Sequence, residues 1–128
     1  MDTIPDIFTK TIERLERTKI CCASADLKKE YRLTELFLVN HEDYIEINTL
    51  KVTYPGRGYG TRFLNDFTAV ADIKGWILTL TPELGLGATS LRRLKRFYKR
   101  FGFVENKGRN TNFKILDTMI RLPNKNRH

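Results

Sequence analysis

The sequence predicts a layered α/β (α+β) domain in which helices pack on a mixed β-sheet. Three observations predict it. Helical and strand periodicities follow one another along the chain, a glycine-rich turn stands between a strand and a helix, and 128 residues at 41% hydrophobic content suffice for one core. No repeat, low-complexity tract or linker divides the chain, so a single domain is expected over residues 1–122, followed by a polar tail at 123–128.

From Pro5 to Lys19, apolar residues recur at Ile7, Phe8, Ile12 and Leu15 with charges between them, the spacing of an amphipathic helix. Tyr31 to Val39 and Tyr44 to Val52 are rich in β-branched and aromatic residues and are separated by the polar Asn40 to Asp43, which reads as a β-hairpin. Within the second strand the apolar positions change parity, from Ile45 and Ile47 to Leu50 and Val52. A β-bulge near Asn48 or Thr49 restores a single apolar face; burial of both faces at the strand end is the alternative. After the glycines, Phe63, Leu64, Phe67, Val70 and Ala71 follow helical spacing, and Gly75 is placed to stop that helix. Trp76 to Leu80 reads as a short buried strand. A last helix starts near Thr89 or Ser90, both natural N-caps, buries Leu91, Leu94, Phe97 or Tyr98, and Phe101, and stops at Gly102. Phe103 to Glu105 and Phe113 to Leu122 complete the sheet.

Composition narrows the function. The adjacent Cys21 and Cys22 are badly placed to bridge each other and, with His41 and His128, too few for a metal site, so no metal is expected and both read as reduced thiols on a strand. The longest apolar run is Leu36 to Val39, and Asp2 and Asp6 stand where a secretory signal places lysines, so the chain is read as a cytoplasmic protein with no membrane segment. The net charge of +8 attracts anions: nucleotides, nucleic acid or an acidic protein surface.

In Tyr54 to Leu64, Gly56, Gly58 and Gly60 alternate with Arg57 and Tyr59 directly before a helix. Glycines let backbone approach a ligand closely, and the free N–H groups of a helix start, with their dipole, favour an anion. The turn therefore reads as a cradle for a pyrophosphate, or else as a flexible turn. The acidic residue of a dinucleotide-binding βαβ unit is absent about twenty positions on, and no Gly-Lys-Ser/Thr follows as in a nucleotide P-loop.

The segment Leu50 to Leu64 resembles the Arg/Gln-x-x-Gly-x-Gly/Ala motif of the GNAT (Gcn5-related N-acetyltransferase) family, with Gly58 and Gly60 on the motif glycines, Phe63 and Leu64 on its apolar pair, and Pro55 at the Arg/Gln position. Phe97 to Phe103, FYKRFGF, is similar to the family's later Phe-Tyr-x-x-x-Gly-Phe, and the resemblance spans Tyr31 to Leu122. It implies a mostly antiparallel sheet with a bulged central strand, acetyl-CoA as cosubstrate, and transfer of its acetyl group to an amine by direct attack on the thioester. It further implies that Leu50, Lys51 and Val52 present backbone to the pantetheine, and that Arg57, Gly58, Tyr59, Gly60 and Thr61 enclose the pyrophosphate. Ser90 stands beside Leu91, where the family often has a pantetheine-binding asparagine. Tyr98 matches the family tyrosine that protonates the departing thiolate, its alternative being a core aromatic. For the base, Glu46 on the hairpin strand and Glu83 after the next strand compete, with a solvated surface glutamate as the alternative for each.

The loops at Asn40 to Asp43, Leu84 to Thr89 and Asn106 to Asn112 are too short to close over a small molecule, so the acceptor is expected to be an amine on a protein with an acidic surface, with nucleic acid as a possible partner. Other readings are a regulatory module of the same fold without turnover and a basic nucleic-acid-binding protein. Small domains of this family also occur in phages and mobile elements, including as anti-CRISPR acetyltransferases.

Overall fold

The computed structural model describes residues 4–54, 56–83 and 90–124. Helix α1 (Asp6–Thr18) turns Phe8, Ile12 and Leu15 into the core, as its spacing predicts. It leads into β1 (Ile20–Cys22), where Cys21 is buried and its sulfur accepts from the Arg14 guanidinium at 3.4 Å. The next element was not read from the sequence: Ala25–Tyr31 forms α2, with the Ser24 hydroxyl accepting from the Leu27 amide as N-cap. Tyr31 therefore ends a helix and does not open a strand. Its phenol donates to Asp66 at 2.5 Å, pinning α2 to a later helix.

Strands β2 (Leu33–Asn40) and β3 (Ile45–Val52) form the predicted hairpin. Phe37 pairs with Thr49 while Leu38 pairs with Ile47, which leaves Asn48 as an extra residue on β3. This is the bulge that the parity change required. Ile45 and Ile47 are buried before it and Leu50 and Val52 half-buried after it.

Helix α3 (Tyr59–Lys74) buries Phe63, Leu64, Phe67 and Ala71, and ends at Gly75, whose left-handed φ of 74° suits glycine. Strand β4 (Leu78–Leu80) is buried throughout, and α4 (Leu91–Lys99) starts at Ser90, whose hydroxyl accepts from the Arg93 amide at 3.1 Å. Strands β5 (Val104–Glu105) and β6 (Met119–Arg121) complete one six-stranded sheet of order β1-β2-β3-β4-β6-β5, antiparallel at every junction except β3 with β4. The fold is thus an α+β layer with a mostly antiparallel sheet and a bulged central strand, and its core gathers α1, α2 and α3 against the sheet.

Three expectations on the C-terminal half are corrected. Leu91 is exposed, because it opens α4 one turn before the buried stripe begins. The strand expected over Phe113 to Leu122 shrinks to β6, and Phe113 and Leu116 lie more than 90% exposed. The Asn106 side chain donates to the carbonyls of Asn112, Ile115 and Asp117, which holds that stretch as a loop. The tail does not start cleanly after Leu122, since the Asn124 amide donates to Asp72 at 2.8 Å. Pro55, residues 84–89, where a loop is expected, and residues 125–128 lie outside the described residues. Among those described, no helix is long and apolar enough to cross a membrane.

Candidate functional site

Strands β3 and β4 pair only at Ile45 with Leu78 and Glu46 with Thr79, the Ile45 amide donating to the Ile77 carbonyl at 2.8 Å. Beyond the bulge, Thr49 to Val52 keep β2 on one side and have no strand on the other among the described residues. A sheet that splits in this way exposes unpaired backbone groups at its middle, where an extended ligand has donors and acceptors to meet. Leu50 and Val52 form one wall of a cleft of about 430 Å³ there. Its end is closed by the glycine turn and the first turn of α3, and its far wall by Leu94, Phe97 and Tyr98 of α4.

Gly58 is the N-cap of α3 at φ 81°, a conformation that a side chain strains, and its carbonyl accepts from Arg62 at 3.0 Å. No side chain caps the helix, and no acidic residue stands in its first turn. The amides of Tyr59, Gly60 and Thr61, which precede the first intrahelical bond, are thus left without helical partners at residues that line the cleft. A Cβ on Gly60 meets Phe97 and Val52 at 3.5 Å each, ordinary contact, so the two walls close on this glycine. Amides without acceptors among the described residues, a helix dipole and bare backbone make this end suited to an anion.

Tyr98 is 8% exposed, with its ring edge-on to Phe97 and Phe103. Its hydroxyl has no hydrogen-bond partner among the described residues, and Tyr98 lines the cleft. Burial pushes the phenol up to about 12, which keeps it protonated and able to donate at neutral pH.

The candidate bases lie elsewhere. Glu46 does not line the cleft: its two oxygens contact His41 at 2.8 Å and the Asn48 amide group at 3.1 Å, and His41 stacks on Tyr44 with ring centres 4.5 Å apart. Glu83 is exposed and does not line the cleft either. Lys51 points outward toward Glu35 at 3.7 Å, and Arg57 is exposed without an ion pair among the described residues. Ser90 is committed to capping α4. The structure therefore brings Leu50, Val52, Gly58, Tyr59, Gly60, Thr61 and Tyr98 to one cleft, and leaves Lys51, Arg57, Ser90, Glu46 and Glu83 off its lining.

Sequence reasoning missed several residues. Leu94 and Phe97 share the apolar stripe that contains Tyr98, so their helical spacing carried the signal. Asp117 carried none. It accepts from Thr79 at 2.7 Å and Thr81 at 3.0 Å across β4. Its charge acts with that of Glu46 on Tyr44, whose phenol is raised first by burial, then by Asp117 and Glu46. Among the described residues no group of His, Cys, Asp or Glu is arranged to hold a metal ion.

Fold and cleft together define an α+β protein with an anion-suited cleft at a strand-to-helix junction. The sequence matches no protein-family model and no curated protein. The fold is similar to the crystal structure of the anti-CRISPR protein AcrVA5, with a TM-score of 0.53 at 20% identity, over 67% of this chain and 86% of that one.

Proposed function

We propose that the chain is an acetyl-CoA-dependent N-acetyltransferase of the GNAT type that modifies an amine on a protein. The observation that carries the reading is the convergence of three separate stretches on one cleft: the bulged end of β3, the glycine turn with the first amides of α3, and Tyr98. In this reading the backbone beyond the bulge holds the pantetheine, and the amides of Tyr59 to Thr61 hold the pyrophosphate. The acceptor nitrogen attacks the thioester carbon, the tetrahedral oxyanion collapses with loss of the thiolate, and the Tyr98 phenol supplies the proton that the sulfur takes up. The proton lost by the amine leaves through water, since neither Glu46 nor Glu83 lines the cleft. The anti-CRISPR role named for the structural neighbour is carried over as the setting in which the acceptor is sought.

A second reading, a binding module without turnover, draws on the two candidate glutamates lying off the cleft. Calorimetric titration with acetyl-CoA tests both readings, since both require binding. Labelled acetyl-CoA incubated with a lysate and with a panel of small amines then separates them. Labelled protein supports the transferase. Efficient turnover of a polyamine, amino acid or aminoglycoside with no labelled protein refutes the protein acceptor, and binding with no transfer selects the second reading.

A further inference from the structure

The charge of this protein is concentrated in one place. Residues 90–109 hold eight Arg or Lys against the one carboxylate of Glu105, a net +7 out of +8 for the whole chain. The remainder is nearly neutral. All three lysines of that segment are held by Glu105: Lys95 at 3.1 Å, Lys99 at 3.5 Å and Lys107 at 3.6 Å. The exposed Arg92 and Arg96 make no ion pair among the described residues. With Arg100, whose guanidinium lies over the Phe97 ring, they occupy positions i, i+4 and i+8, spaced about 6 Å apart along the helix axis.

Helix stability does not account for this row. Like charges at i, i+4 destabilise a helix, and cations in the first turn oppose its dipole. The first turn of α4 contains no acidic residue. Nor does the cleft account for it, since Arg100 lines the cleft and Arg92 and Arg96 do not. Arg92 and Arg96 instead face a shallow groove of about 390 Å³ along α4, with Lys95, Lys99 and Glu105.

We propose that this face of α4 docks the phosphodiester backbone of a nucleic acid. Guanidinium forks bind phosphate oxygens in pairs, and an evenly spaced row suits a regular polyanion better than the irregular charges of a protein surface. The proposal rests on charge placement and needs no acetyl transfer, so its test omits acetyl-CoA and fails separately from the transferase reading.

Fluorescence anisotropy with labelled single-stranded RNA, single-stranded DNA and duplex DNA provides the test. Three to four phosphate contacts predict a slope of log affinity on log salt of about −2 to −3.6, a loss of roughly 20- to 150-fold between 50 and 200 mM salt. R92Q/R96Q is expected to weaken binding at least about tenfold at low salt and to reduce the slope by roughly 1.4 to 1.8. R96Q alone, with about half that slope change, serves if the double variant does not fold. Overturning results are no salt-dependent binding to any of the three probes, unchanged binding by the folded variants, or equally tight binding to polyglutamate.

Discussion

At Tyr98 a ring packed between two phenylalanines carries a hydroxyl that takes no part in that packing. Tyr98→Phe is therefore expected to keep the fold and acetyl-CoA affinity while slowing the chemical step about 10- to 1,000-fold, the range for loss of a general acid. Single-turnover transfer measures this, and an unchanged chemical rate returns Tyr98 to the core. The two motif glycines differ in what they forbid. Gly58 sits at φ 81°, so Gly58→Val is expected to cost about 1–3 kcal/mol in urea denaturation and to weaken acetyl-CoA binding in calorimetry. Gly60 has an ordinary backbone and room for a methyl group, so Gly60→Ala is expected to be folded and nearly as stable as the parent. Full acetyl-CoA affinity in a folded Gly58→Val protein removes the cradle.

Single elements here are held by specific contacts as much as by propensity. Helix α4 buries little beyond Tyr98, and its basic face is tied to β5 through Glu105, which the hydrogen bond from Lys95, foremost, holds below the usual carboxylate range. A carboxyl lowered in the folded state stabilises above its unfolded range, and that contribution is lost as pH falls through it. Glu105→Gln is thus expected to lower the melting temperature near about pH 7 and to converge with the parent near about pH 3. A variant whose deficit persists at low pH places the effect in packing. The elements legible beforehand, α1, α3 and the hairpin, have strong periodicity and clear stop signals. Helix α2 was missed because seven residues give barely two turns of pattern, and its Ser24 cap was its clearest mark.

Across the whole molecule, the C-terminal strand is locked in place by charge. Arg121 and Asp72, 4% and 8% exposed, form a paired contact at 2.8 and 3.0 Å, and the Arg121 Nε donates to the Phe101 carbonyl at 2.6 Å. One side chain thus joins β6 to α3 and to the chain just after α4. Breaking such a pair from one side leaves a buried charge, so Asp72→Ala is expected to cost about 3–5 kcal/mol. The apolar pair Asp72→Leu with Arg121→Met is expected to recover much of that loss. Chemical denaturation compares them, and a cost below about 1 kcal/mol for Asp72→Ala places the lock elsewhere.

Periodicity and punctuation determined by themselves that a helix, a bulged hairpin, a glycine turn and two further helices follow one another, because these patterns act within one or two turns of chain. The bulge at Asn48 was legible because side-chain parity is a property of one strand. The glycine turn and Tyr98 were legible through their motifs. Tertiary structure alone decided that β3 leaves β4 after two residue pairs, that Leu94 and Phe97 complete the cleft, and that Asp117 reaches Thr79 and Thr81 from 38 and 36 residues away. It likewise turned Glu46 toward His41 and Asn48, and buried Asp72 and Arg121 together. Contacts between distant segments depend on how sheet and helices pack, and no local pattern encodes which charged side chain finds a buried partner.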